Sequence, residues 1–151
     1  MKNPVNWPSD IIYRNIQEFN GFKKIRKETT PGVRLEKIND TNSVLHNQYG
    51  LFATKEFNSY DIIGQYTGKL VDMECGGCYV SRSDNCCIDA LNYGNELRFI
   101  NDYRNIAPSE NVVIKNAYID KKPRVLFVVT KQIKPGEQIL TDYGEEYWKH
   151  I

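Results

Sequence analysis

A chain of 151 residues is long enough for one domain with a real core, and needs no disulfide or metal staple to fold. A net charge of +1 gives no footing for a nucleic-acid backbone or an anionic membrane surface, and 40% hydrophobic with 26% charged residues is ordinary for a globular protein. No apolar run approaches the ~20 residues of a membrane span, and the opening Met1-Lys2-Asn3-Pro4-Val5-Asn6-Trp7-Pro8 lacks the apolar stretch of an export signal, so the expected address is intracellular.

Residues 1–45 differ from the rest and read as a flanking segment. A helix is expected to begin there, with Ser9 as N-cap and Ile11, Ile12, Ile16 and Phe19 as its apolar stripe, weakening at Gly21. The basic cluster Lys23, Lys24, Arg26 and Lys27 reads as a solvated face, with a weak nuclear-import signal as the sharper alternative. Thr30-Pro31-Gly32 marks a turn.

From Val33 onward short strands alternate with turn chemistry. Ile62 to Tyr66 is strand-like, and Asn111 to Ile119 with Arg124 to Thr130 reads as a hairpin joined at Asp120-Lys121-Lys122-Pro123. The unbroken apolar run Val125 to Val129 predicts a strand covered on both faces. Lys134-Pro135-Gly136-Glu137 fits a type II turn, and Tyr93 to Ile100 is the clear helix candidate of this half. A faint echo relates Ala53 to Phe57 with Val129 to Ile133. Many short strands and few helices predict a mainly β fold.

Several familiar chemistries are missing. The two histidines, His46 and His150, sit in no catalytic motif, and no glycine-rich run cradles a phosphate. Glu145-Glu146 reads as solvated charge. Four cysteines fall in one short segment. Cys75-Gly76-Gly77-Cys78 has zinc-ligand spacing, but adjacent Cys86 and Cys87 point in different directions, so reduced thiols and no metal are expected. Tyrosine stands out instead: ten occur, several beside glycine or turn residues.

Four stretches resemble, in order and spacing, the signatures of the SET-domain family of protein lysine methyltransferases. They are Tyr49-Gly50-Leu51-Phe52-Ala53; Gly64-Gln65-Tyr66-Thr67-Gly68; Ile88-Asp89-Ala90 with Gly94-Asn95-Glu96-Leu97-Arg98-Phe99-Ile100-Asn101; and Gly136-Glu137-Gln138-Ile139-Leu140-Thr141-Asp142-Tyr143-Gly144. The resemblance places a SET domain at 46–148 after the flanking 1–45. The compact form, ending Tyr-Gly-Glu-Glu-Tyr-Trp, is similar to small virus-encoded SET proteins.

The resemblance implies a SET β-clip fold of small sheets with few short helices. A knot-like C-terminal crossing would bring the segments of Asn101 and Tyr143 together. It implies S-adenosylmethionine as methyl donor and a protein or peptide presenting lysine as substrate, with a histone tail favoured and the nucleus as one compatible location. Tyr143 matches the catalytic tyrosine and Tyr66 a second channel tyrosine. Cofactor contacts are implied for Tyr49, Gly50 and Leu51 in the first signature, and for Arg98, Asn101 and Asp102 in the third. Tyr143 and Trp148 complete that set; Tyr147 and Trp148 are the aromatics available to cover the cofactor, with Trp148 the better candidate for stacking on adenine.

The chain also departs from the family. Gln48 replaces the first glycine of Gly-x-Gly, and Asp102-Tyr103-Arg104 replaces His-Ser-Cys, so Asp102 is expected to act through its backbone. Gln138 stands for glutamate. Thr141 occupies a position that influences how many methyl groups are added. These changes sustain an alternative: a catalytically weak or inactive SET module that binds S-adenosylmethionine or a peptide. The chemistry itself suits tyrosine. Holding a lysine amine neutral at pH 7 costs about 4–5 kcal/mol, which an aromatic, partly dry channel offsets while aligning the nitrogen.

Overall fold

In a computed structural model, residues 3–15, 29–71, 80–82 and 87–149 are described. The chain opens with β1 (Ile12–Tyr13), then β2 (Val33–Lys37), β3 (Tyr49–Ala53), β4 (Ile62–Gln65) and β5 (Lys69–Val71). After β6 (Val80–Arg82), β7 (Cys87–Asp89) and β8 (Tyr93–Gly94) comes one 3₁₀ turn, Glu96–Phe99. Then follow β9 (Asn101–Asp102), β10 (Val112–Ile119), β11 (Lys122–Val129), β12 (Leu140–Thr141) and a five-residue helix α1 (Glu145–Lys149). The expected mainly β architecture is met by five small sheets. Among the described residues, no helix is long and apolar enough to cross a membrane.

β10 and β11 form the expected hairpin and extend to β4, giving the order β10-β11-β4. Asp120 and Lys121 both have positive φ, at 53° and 61°, the backbone of a tight turn whose twist matches the strands it joins. Gly136 takes φ 90° in the turn from Lys134 to Glu137, as expected. The echo between residues 53–57 and 129–133 has a physical counterpart: Phe57 and Ile133 exchange backbone hydrogen bonds, each at 2.9 Å.

Three local expectations are corrected. Ile12 and Tyr13 do not open a helix; they are extended and pair in parallel with Tyr93 and Gly94. Ile16, Phe19 and Gly21 lie outside the described residues, as does the basic cluster at 23–27. Of the Tyr93 to Ile100 helix candidate, only Glu96–Phe99 is helical, and as a 3₁₀ turn, because Asn95 caps it while Tyr93–Gly94 joins β1. The run Val125 to Val129 is not covered evenly on both faces. Val125, Phe127 and Val129 are buried while Leu126 and Val128 are half-buried, so the strand's period of two decides.

The core is built by those three residues with Leu51 and Ala53 of β3, Ile63, Ile88, Leu97, Ile100, Val112 and Ile139. A second cluster joins the N-terminal residues to Leu35 and Phe99. Trp7 packs edge-on against Tyr13 and Phe99, at centroid distances of 5.0 and 5.4 Å, and Leu35 completes it. Beneath it Glu96, 2% exposed, accepts hydrogen bonds from the Tyr13 hydroxyl (3.0 Å), the Thr30 amide (2.9 Å) and the Thr30 hydroxyl (2.7 Å). Burial, and then the charge of Glu96, pushes the Tyr13 phenol well above its ordinary value. Cys87 is buried in β7; Cys75, Cys78 and Cys86 lie outside the described residues.

Candidate active site

The site is organised by a two-residue parallel pairing. Leu140 lies opposite Asn101 and Thr141 opposite Asp102, and the Tyr103 amide donates to the Thr141 carbonyl at 2.9 Å. So short a pair needs outside support, and Asn111 supplies it. Its side-chain amide donates to the Gln138 carbonyl at 2.9 Å, and its side-chain oxygen accepts from the Leu140 amide at 2.8 Å. On the other side the Ile139 amide donates to the Leu51 carbonyl and the Ala53 amide to the Glu137 carbonyl. The 137–141 segment is thereby threaded between β3 and β9, which is the crossing the signatures implied.

Tyr143 leaves this crossing beside Asn101 and Asp102. Its backbone N–H donates to Asp102 Oδ2 at 2.8 Å and its hydroxyl to the Ile100 carbonyl at 2.8 Å. Asn101 Nδ2 donates to the Tyr49 carbonyl at 2.9 Å, tying the first signature to the third. A cavity of about 570 Å³ opens here, walled by Tyr49, Arg98, Asn101, Asp102, Tyr143 and Trp148 of the expected set. Its volume falls in the range of small-molecule sites, roughly 300–1,000 Å³.

Not every expected residue reaches it. Leu51 is fully buried in the core, and Tyr66, 6% exposed, packs its ring against Phe127 with centroids 6.1 Å apart. Neither is a wall of this cavity. The direction a Cβ on Gly50 would take leads to Gln138 Nε2, only 2.8 Å away, so the missing side chain makes room for Gln138. Gln138 Nε2 is itself buried without a hydrogen-bond partner.

Arg98 is 6% exposed and donates to the carbonyls of Ala90 (2.8 Å) and Leu91 (3.2 Å), with its guanidinium 4.6 Å from the Phe99 ring centroid. Trp148 is 39% exposed, its indole N–H 3.3 Å from Asp102 Oδ2. Asp102 was expected to act through its backbone; its carboxylate is engaged as well.

Sequence reasoning missed three contributors, Arg104, Val44 and Leu45, and ranked a fourth, Tyr147, behind Trp148. Arg104, seen only as a departure from cysteine, donates from Nη1 to Asp102 Oδ2 (2.8 Å) and Asp142 Oδ1 (2.7 Å). The Arg104 hydrogen bond, and then the Gly144 amide, holds the Asp142 carboxyl below its ordinary range; Arg104 is in turn held further toward its charged form. Tyr147 stacks edge-on against Tyr143 at 4.8 Å and Trp148 at 5.3 Å. Val44 and Leu45, in the loop between β2 and β3, wall the cavity too. Tyr147, offered with Trp148 as an available cover, walls the cavity beside it.

The SET domain profile matches residues 48–144. The chain belongs to the SET-domain family. This SET domain is 27% identical over 118 residues to the histone-lysine N-methyltransferase EZH2 of Chaetomium thermophilum, covering 66% of this chain and 8% of that protein. It is 33% identical over 113 residues to the histone-lysine N-methyltransferase EHMT1 of Homo sapiens, covering again 66% and 8%. Among solved structures it superposes on ctPRC2 in an autoinhibited conformation bound to S-adenosylmethionine with a TM-score of 0.60, 28% identical, over 76% of this chain and 15% of that one. The chain thus spans a small part of the length of the relatives it matches.

S-adenosylmethionine is the methyl donor of SET methyltransferases, and the residues of this cavity fit it. Asn101 uses its amide N–H on Tyr49, leaving its side-chain oxygen as an acceptor on the cavity wall for a cationic group. Phe99, Tyr147 and Trp148 offer aromatic surface for a base. Among the described residues no group of three or more histidines, cysteines or acids is arranged to hold a metal.

Proposed function

We propose that this SET domain transfers a methyl group from S-adenosylmethionine to a lysine side chain of a protein substrate, a histone tail being favoured. Family membership and relatives named histone-lysine N-methyltransferases support the reaction and the substrate class. The same relatives favour a chromatin setting, and so the nucleus. The observation that carries the reading is the β9–β12 crossing, because it sets Tyr143 and Asn101 on one cavity wall.

The cofactor supplies a methyl on a sulfonium. The chain's residues supply position. Tyr143 donates its hydroxyl proton to Ile100, so the phenolic oxygen faces an incoming amine as acceptor only. Accepting an N–H of the neutral amine turns the nitrogen lone pair away from the tyrosine and fixes its line of attack. Tyr49 and Asn101 would hold the donor, with Arg98 behind them, and Trp148 would offer its ring to the base. Tyr66, which matches the family's second channel tyrosine, is read as acting on the lysine side, since it is not a wall of this cavity.

Incubating the full chain with S-adenosylmethionine labelled in its methyl group and a histone mixture, followed by mass spectrometry, tests the reading. Label on lysine side chains is expected. Binding of the donor with no transfer to histones or to a lysine peptide array would overturn it.

A further inference from the structure

Asp102 is 6% exposed, and everything that reaches its carboxylate is a donor. Oδ1 accepts from the Arg104 amide at 2.8 Å. Oδ2 accepts from Arg104 Nη1 at 2.8 Å, from the Tyr143 amide at 2.8 Å and from the Trp148 indole at 3.3 Å. Arg104 Nη1 continues to Asp142 Oδ1 at 2.7 Å, which also accepts from the Gly144 amide at 2.8 Å. One carboxylate therefore ties together β9, the loop after it, the backbone of Tyr143 and the C-terminal helix.

That helix lies at the surface. α1 has five residues, none of them buried. A helix of that length is unstable alone. Its described anchors are the Tyr143–Tyr147 ring contact, the Arg104 guanidinium 5.7 Å from the Trp148 ring centroid, and the Trp148–Asp102 hydrogen bond. Hydrogen bonds to an ionised carboxylate are the strong ones in such a set.

We propose that Asp102 is the positioning residue of the site: with Arg104 it clasps α1 over the cavity and sets the backbone of Tyr143, so one group couples the cover to the tyrosine. Only a carboxylate satisfies this ring of donors. An amide at the position turns an N–H toward either the Arg104 amide or the three donors on Oδ2, whichever way it is flipped, and a neutral imidazole has one acceptor in all. The clasp is independent of ligand; its effect on the donor rests on the reading of the cavity given above.

The test uses the full chain and Asp102→Asn. The two tryptophans report separately, since Trp7 is 9% exposed and Trp148 39%, and a Trp148→Phe chain isolates the Trp7 signal. In the ligand-free protein, Asp102→Asn is expected to raise acrylamide quenching of Trp148 with Trp7 unchanged. By calorimetry it should weaken S-adenosylmethionine binding about tenfold, the equivalent of one lost charged hydrogen bond. It should lower kcat as well as raise KM, because Tyr143 shifts too, whereas Trp148→Phe should raise KM alone. Unchanged Trp148 quenching in a folded Asp102→Asn chain overturns the clasp. If that variant does not fold, Arg104→Met must show the same rise in quenching, and failure to do so overturns it equally. A wild-type chain that binds no S-adenosylmethionine sinks the cofactor reading alone and leaves the quenching result to decide the clasp.

Discussion

The hydroxyl of Tyr143 donates to the carbonyl of Ile100 at 2.8 Å, joining residues 43 positions apart across the β9–β12 crossing. That bond fixes the direction of the phenolic lone pairs, and so the side from which an amine can be received. Tyr143→Phe keeps the ring against Tyr147 and removes only the oxygen. Methyl transfer should fall by about 10²-fold or more, as expected for a lost positioning group, with affinity for S-adenosylmethionine within a few-fold. Steady-state kinetics beside calorimetry checks it, and full activity would remove Tyr143 from the mechanism.

Tyr66 makes a contrasting case. Its ring belongs to the core and is not a wall of the cavity that holds Tyr143. Tyr66→Phe should therefore leave donor affinity nearly unchanged while slowing transfer to lysine peptides. A variant with wild-type kcat and peptide KM would reduce Tyr66 to packing against Phe127.

Glu96 ties the N-terminal segment to the 3₁₀ turn through Tyr13 and Thr30. Removing the phenol with Tyr13→Phe deletes a hydrogen bond to a buried carboxylate, worth about 2 kcal/mol. For a chain of this size the Tm should drop by about 4–8 °C. Differential scanning calorimetry measures it, and an unchanged Tm would mean that the segment is held by Trp7 and β2 without this bond.

Asp142 sets a pH dependence. Its folded carboxyl is held below the unfolded value, first by Arg104 and then by the Gly144 amide. The unfolded chain therefore binds the proton more readily, and stability rises with pH through that window. The contribution is present above an unfolded aspartate value of about 4 and is lost as pH falls through the lower folded one. The side chain is 42% exposed, so solvent screening keeps the effect small. Thermal scans of the wild type and Asp142→Asn from neutral pH downward should show their Tm difference shrinking below about pH 4; a constant difference would mean that the pair contributes no charge-dependent stability.

Much of the fold was legible before any coordinate. The hairpin of β10 and β11, the turn at Gly136 and the four signatures depend on local chemistry: strand alternation, residues tolerant of positive φ, and glycine where backbones approach closely. The order of those signatures carried the fold and put Tyr143 beside Asn101. The sequence misled where a segment's own preference was overruled from outside. Ile12 and Tyr13 carry a helical stripe, yet Tyr93 and Gly94 offer them a strand partner 81 residues away. Val125 to Val129 is apolar throughout, yet its two faces meet surroundings buried to different degrees.

What only the tertiary structure decided is who meets whom. Nothing in the string Asp102-Tyr103-Arg104 says that its carboxylate will collect donors from Tyr143 and Trp148, because those partners lie 41 and 46 residues on and arrive only when the crossing is threaded. Nor does it say that Gln138 fills the space beside Gly50, or that Tyr66 turns into the core. Composition and spacing act through neighbours along the chain, and determined the family and the elements. The cavity is made of neighbours in space, whose identities depend on the closure of loops that no local window contains.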